Sequence, residues 1–194
     1  MLPDKRSTAK RPAIMPPEEK ACRARLKVLG GDFEEASPQA SAEGCALPFP
    51  IRLKRLSATI DLEPDAVINC TAAEATVRFA TTVITPTAKS AFGEELATID
   101  QASAYVCRPR NGTRKLSEHA FGNALDIARF TLAGGSAIDV EPAPPGKNAE
   151  FLAAIRKAAC GPFKTVLGPG SDADHSLHLH FDLAPRRNGG TFCK

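Results

Sequence analysis

Polar and apolar residues alternate most clearly near the C-terminus, in His175-Ser176-Leu177-His178-Leu179-His180-Phe181-Asp182. Read as a β-strand, this stretch sends successive side chains to opposite faces. His178, His180 and Asp182 then share one face, while Leu177, Leu179, Phe181 and Leu183 share an apolar face fit for a core. Upstream, Glu19 to Leu29 has helical spacing, with Leu26 and Leu29 inward and Gly30-Gly31 as its end. Ile51 to Leu56 alternates briefly, as an edge strand with its charges facing water. Thr71-Ala72-Ala73-Glu74 matches a capping box for a helix reaching about Ile84 along the stripe Ala73, Val77, Ala80 and Ile84. Pro86 ends that helix or opens a short second one to Phe92. Leu96 to Cys107 reads as a strand interrupted at Asp100-Gln101, and Asn111-Gly112 as a turn. Leu125 to Leu132 and Ser136 to Val140 read as two strands joined at Gly134-Gly135. Asn148 is the expected cap of a helix carrying Phe151, Leu152, Ile155 and Ala158, closed by Gly161-Pro162. Phe163 to Leu167 is a further strand, turned by Gly168-Pro169-Gly170 into the histidine segment. Residues 34–48 and 141–146 read as loops, and Arg186 to Lys194 as a polar tail that Cys193 pins down. Residues 1–18, rich in Lys, Arg and Pro, read as a disordered tail or linker ahead of one domain over 19–194. Strands and helices are segregated rather than strictly alternating. The expected class is therefore α+β, a small, mainly antiparallel sheet with flanking helices.

A chain of 194 residues can bury a sizeable core in one domain. Its formal charge of +3 is only mildly basic, and with no Trp and one Tyr it lacks base-stacking surfaces, so nucleic acid is not an expected partner. No stretch is long and apolar enough to span a bilayer. The cysteines alter the picture more. Six of them, at 22, 45, 70, 107, 160 and 193, contain no CxxC pair. That argues against a zinc ribbon and for three disulfides formed in an oxidising compartment. Six cysteines allow fifteen pairings, and spacing selects none; neighbour pairing, 22–45, 70–107 and 160–193, is the expectation carried forward. The expected location is the periplasm or cell envelope, and the expected state a monomer. Met1-Leu2-Pro3-Asp4-Lys5 carries no apolar leader core. Export therefore implies a leader already removed or a start upstream of Met1; the other reading is a retained protein with reduced, buried thiols.

The four histidines carry the chemistry. Three lie in the C-terminal segment, and the fourth, His119, lies in Ser117-Glu118-His119-Ala120-Phe121-Gly122-Asn123-Ala124-Leu125-Asp126. Both segments hold a carboxylate, and imidazole with carboxylate is the ligand set of a catalytic zinc site. Such a site needs three protein ligands and an open fourth position. His119, Asp126 and His180 are the expected ligands. The first two converge if the chain turns at Gly122 and enters a strand at Ala124, with Ala124, Asp126 and Ala128 on one face. His178, about 7 Å from His180 along a strand, suits a general base or a donor to a developing oxyanion. His175 can assist it. Asp182 is placed to orient a ligand, and Ser117 or Glu118 to hold the ring of His119, with a base role open to Glu118. Arg108, like Ser117, is a candidate for substrate binding, gripping a carboxylate. The rival is a structural metal with a fourth ligand from His175 or His178, in a non-catalytic envelope-binding or scaffold module.

Ser117-x-His119-x-x-Gly122-x-Ala124-x-Asp126 followed by His178-x-His180 resembles the lysostaphin, D-Ala-D-Ala carboxypeptidase and hedgehog group of zinc peptidases. More narrowly, Cys107-Arg108-Pro109-Arg110, Leu116-Ser117-Glu118-His119, Asn123-Ala124-Leu125-Asp126-Ile127, Val166-Leu167-Gly168-Pro169-Gly170-Ser171 and His175-x-x-His178-x-His180-x-Asp182 resemble the bacterial extensin-like C-terminal domain family. The resemblance covers roughly residues 20–194. It implies a hedgehog/DD-peptidase-like fold with the metal on one sheet face, and zinc ligands His119, Asp126 and His180. It also implies a non-ligand active-site histidine at His178, and hydrolysis of peptide bonds in peptidoglycan stems or cross-links. The carboxypeptidase branch carries a catalytic Glu three residues before its last histidine ligand; Leu177 stands there in this chain. A histidine-assisted endopeptidase is therefore the closer expectation.

Overall fold

A computed structural model describes residues 4–8, 12–186 and 189–194. In chain order the elements begin with α1 (Lys5–Thr8), α2 (Pro17–Val28), β1 (Asp32–Glu35), β2 (Gln39–Ala40), β3 (Ala46–Leu47), β4 (Ile51–Ser57) and β5 (Ile60–Ile68). Next come α3 (Cys70–Phe79), a π turn (Ala80–Ile84), α4 (Thr85–Phe92), β6 (Leu96–Ser103), a 3-10 turn (Glu118–Phe121), β7 (Ala124–Leu132) and β8 (Ala137–Asp139). The chain closes with α5 (Gly146–Ala159), β9 (Thr165–Leu167), a 3-10 turn (Ala173–His175), β10 (Leu179–Asp182) and β11 (Phe192–Cys193). The class is α+β, as expected. The main sheet runs β1-β4-β5-β6-β7-β10-β9-β11, with β8 bonded to β7 off that path. Its pairs are antiparallel except β5–β6 and β9–β11.

One hydrophobic cluster joins Leu26 of α2, Val77 and Phe79 of α3, and Phe151 and Ile155 of α5 to sheet residues that include Leu53, Leu62, Ile99, Ile127, Phe130 and Phe181. Phe79 meets Phe163 and Phe181 edge-on, at 5.5 and 5.8 Å between centroids, and Phe163 stacks on Phe181 at 4.9 Å. This trio fixes β10 to α3 by the face opposite His180 and Asp182.

The inward residues of β7 change parity along the strand. Leu125 and Ile127 are buried in the core, and so are Phe130 and Leu132. Between them the register against β6 slips by one residue: Ile127 pairs with Gln101, but Arg129 with Asp100. A bulge inserts one residue and turns the strand. The first half can then offer Asp126 to the site face, while the second half still buries Phe130. The interruption expected at Asp100-Gln101 lies at this slip.

Several local expectations differ from the structure. The histidine strand covers only Leu179–Asp182; His175 ends a 3-10 turn, and Leu177, expected in the core, is 63% exposed. Strand β4 lies inside the sheet, with β1 as the edge beyond it. Its polar face is nonetheless on water, where Lys54 pairs with Glu34 at 2.7 Å and Arg55 with Asp61 at 2.8 Å. Helix α3 is capped by Asn69, whose Oδ1 accepts from Ala72 N at 2.8 Å. Glu74 does not complete a capping box; Arg25 and Arg78 hold it at 2.8 and 3.1 Å. Of the two readings of Pro86, the second holds: it sits in the first turn of α4, which ends at Phe92, where the missing N–H costs nothing. Pro145, not Asn148, stands at the start of α5, and Ala159 rather than Ala158 is its last inward residue. The expected loop 34–48 carries the end of β1 and the small β2–β3 pair.

The disulfides are Cys22–Cys70, Cys45–Cys107 and Cys160–Cys193. Neighbour pairing holds only for the last. Helix α2 packs on α3, which brings Cys22 to Cys70. Cys45 sits in a small buried cluster with Ala120 and Phe121, and from there its sulfur bonds Cys107. Three disulfides mark an oxidising, extracytoplasmic setting. Among the described residues no helix is long and apolar enough to cross a membrane. Of the tail expected over 1–18, residues 1–3 and 9–11 lie outside the described residues, whereas Arg6 in α1 reaches Glu118 at 2.7 Å. Of the C-terminal tail, 187–188 lie outside them, and Cys193 holds the rest in β11 beside β9.

Cys22–Cys70 closes a separation of 48 residues. The double variant Cys22→Ser, Cys70→Ser should lose about 2–4 kcal/mol of unfolding free energy, read from urea midpoints. A non-reducing peptide map should return the three pairs above; Cys22–Cys45 or Cys70–Cys107 in that map would contradict the fold.

Candidate metal centre

The site starts at a reversal that only glycine permits. The 3-10 turn Glu118–Phe121 ends at Gly122 with φ of 57°. A Cβ there would stand 2.6 Å from Leu47 Cδ2 and 3.0 Å from Asn69 N. The Gly122 carbonyl instead accepts from Asn69 N at 2.8 Å, and the chain enters β7 two residues later. His119, 1% exposed, is thereby turned inward. Its Nδ1–H donates to the Ala104 carbonyl at 2.6 Å. A carbonyl can only accept, so the lone pair is on Nε2, facing the centre.

Strands β7 and β10 supply the other two groups. Their register sets His180 directly opposite Asp126, and Asp182 opposite Ala124. His180 Nε2–H donates to Asp182 Oδ2 at 3.0 Å, and Asp182 Oδ1 accepts from Ala184 N at 2.9 Å. His180 Nδ1 therefore faces inward, 2.7 Å from Asp126 Oδ1 and 3.2 Å from His119 Nε2. Asp126 Oδ2 is 3.1 Å from His119 Nε2. One donor atom from each of His119, Asp126 and His180 lies within 4.8 Å of the others, and all three residues are buried. Two imidazole nitrogens and a carboxylate oxygen, each ring held from behind by an acceptor, fit zinc or a similar divalent ion.

Without a metal, a proton must occupy this crowd of acceptors. Burial opposes a charge on His180, yet its hydrogen bonds to Asp126 and Asp182 raise its pKa to about 9. Burial likewise works against the Asp126 carboxylate, but His119 and His180 hold its pKa well below the usual range. For Asp182, the His180 bond again overrides burial and lowers the pKa.

All four histidines line one cleft of about 290 Å³. His178, half-buried, has Nε2 3.6 Å from Asp126 Oδ2. Burial pushes its pKa down, against the pull of Asp126, so the ring is neutral near pH 7. The His175 ring lies 5.2 Å from that of His178 and 5.5 Å from that of His180. Asp172 Oδ1 accepts from His175 Nδ1 at 2.6 Å and from its backbone N at 3.1 Å.

Arg108 and Ser117 also line the cleft, and among the described residues the guanidinium of Arg108 has only a 3.5 Å contact to the Pro109 carbonyl. Neither Ser117 nor Glu118 holds the His119 ring; the Ala104 carbonyl does. Glu118 accepts from Arg6 at 2.7 and 3.0 Å, from Asn123 at 2.7 Å and from Arg110 at 3.5 Å. Its oxygens are thus taken up by two guanidiniums and an amide rather than turned to the centre. Three participants escaped the sequence reading. Ala104 acts through its backbone and has no side-chain signal. Arg6 lies in a segment that reads as tail. Asp172, three residues before His175, was legible as a cap of the Asx type.

Residues 20–194 match the family described as Extensin-like protein C-terminus. No curated protein and no solved structure matches the chain.

A divalent ion can use His180 Nδ1 only after that nitrogen loses its proton. With the pKa near 9, the ring is charged below that pH, so metal and proton compete. Between pH 6 and 8 the apparent dissociation constant for zinc should fall about tenfold per unit rise in pH, with about one proton released per ion. Calorimetry in buffers of different ionisation enthalpy measures both. A pH-independent constant would place the metal elsewhere.

Proposed function

The chain belongs to the extensin-like protein C-terminus family, and from that premise we propose that it is a zinc-dependent peptidase, most simply an endopeptidase, acting on peptidoglycan peptides in the periplasm or cell envelope. The observation that carries the reading is the convergence of His119, Asp126 and His180, within 4.8 Å, in a cleft that also holds His178 and Arg108. Relationship to the lysostaphin, D-Ala-D-Ala carboxypeptidase and hedgehog group is part of the proposal and rests on the shared motif.

Zinc held by the three groups supplies a Lewis acid for the scissile carbonyl and acidifies water. The remaining roles belong to the chain. Neutral His178 accepts a proton from the attacking water, or donates to the oxyanion as it develops. His175, fixed by Asp172, stands beside it to pass that proton to the leaving amine. Arg108 takes a carboxylate of the substrate. Asp182 and the Ala104 carbonyl keep the two ligand rings aimed. Leu177 stands at the sequence position of the carboxypeptidase glutamate, which favours histidine assistance.

Wild-type protein loaded with zinc should cleave muropeptides, and chelation should stop it. His119→Ala should lose the ion. His178→Ala should keep one ion per chain while cleavage drops about 10²–10⁴-fold. Absence of cleavage by the wild type under every metal condition removes the reading. The rival, a scaffold module with a structural metal, forecasts instead that His178→Ala leaves metal content and the envelope role intact.

A further inference from the structure

Beside the triad lies a buried carboxylate that the proposed chemistry does not use. Glu118 is 2% exposed and precedes ligand His119 on the 3-10 turn. Its oxygens take both terminal nitrogens of Arg6, at 2.7 and 3.0 Å. The same guanidinium lies 3.7 Å from the centroid of the Phe121 ring, and Asp4 holds its outer edge at 2.7 Å. A two-pronged grip on a buried carboxylate over an aromatic plate reads a planar guanidinium and discriminates against an ammonium.

The family match begins at residue 20, so the walls belong to the domain and the occupant to the segment before it. The walls are tied to the rest of the site. Asn123 Nδ2 donates to Glu118 at 2.7 Å, its Oδ1 accepts from Asn69 Nδ2 at 3.0 Å, and Asn69 Oδ1 caps α3. Asn123 N also bonds the Glu118 carbonyl at 3.0 Å, and Gly122 N the His119 carbonyl at 3.0 Å.

We propose that Glu118, Phe121 and Asn123 form a guanidinium-binding socket on the His119 turn, that Arg6 is its resident ligand, and that occupation of the socket holds His119 in the triad. Removing Arg6 strips Glu118 of its two guanidinium bonds and leaves it Asn123 and the 3.5 Å contact to Arg110. Such a carboxylate moves towards water, and it pulls on the turn that carries His119.

The test uses the full chain, with Arg6→Ala and Arg6→Lys, and ethylguanidinium or ethylammonium added back. In metal-free Arg6→Ala, the side-chain amide signals of Asn123 and the ring N–H signal of His119 should shift in ¹H–¹⁵N spectra. Ethylguanidinium should restore them saturably; ethylammonium and Arg6→Lys should not. Unshifted signals, or equal rescue by ethylammonium, overturn the socket. With cobalt(II) as probe, Arg6→Ala should bind about tenfold more weakly than wild type, with an altered d–d spectrum that ethylguanidinium repairs. Wild-type affinity and spectrum in Arg6→Ala overturn the link to the triad. This coupling rests on the metal reading above, whereas the metal-free measurement does not. A wild type that binds no cobalt therefore sinks the coupling with that reading, and the socket is judged on the first measurement alone. Circular dichroism of each variant separates these outcomes from unfolding.

Discussion

One line of antiparallel pairing, His180 against Asp126, governs the rest of the molecule. Side chains alternate along a strand, so a slip of a single residue would exchange the two faces of β10. Phe181 would enter the cleft, and His180 with Asp182 would be driven into the cluster formed by Phe79 and Phe163. The aromatic packing beneath β10 therefore sets the position of the polar groups above it. The bulge in β7 serves the same end. It reconciles a strand that offers Asp126 at one end with a strand that buries Phe130 at the other.

Concentrating acceptors in a buried place is unfavourable unless each has a partner. The outer nitrogen of His119 has the Ala104 carbonyl, and that of His180 has Asp182. What remains at the centre is two ring nitrogens and a carboxylate directed at one another, an arrangement that demands a proton or a cation. The same rule explains Glu118, whose burial is balanced by guanidinium and amide donors. Two buried carboxylates, eight residues apart, are thus compensated in different ways: one by imidazole, the other by arginine.

The chemistry was more legible in the chain than the geometry. His119, Asp126 and His180 stand out because every imidazole of the protein lies in two short segments, and Gly122 announces the reversal between the first two. Asp182 could be read as an orienting acceptor, since it lies two residues along from His180. Strand β5 left no usable trace, because Pro64 and scattered charges interrupt its alternation although Ile60, Leu62, Ala66 and Ile68 are buried. Disulfide partners were hidden for a different reason. Cys22 meets Cys70 because two helices pack, and helix packing between distant segments is not written in local spacing. Leu177 illustrates the opposite failure. Its alternation with Leu179 was genuine, but the strand begins only after His178, and a residue outside the strand need not obey the strand's parity.

The sheet order also has a temporal meaning. Strand β9 is separated from β7 by β10, which follows it in the sequence. Until residues 179–182 arrive, β9 has no place beside the central strands, and the third member of the His119–Asp126–His180 trio is missing. A chain emerging from its N-terminus can bury most of its core while this centre is still impossible to form. Whatever the trio captures, it captures only after residues 179–182 have been made and paired.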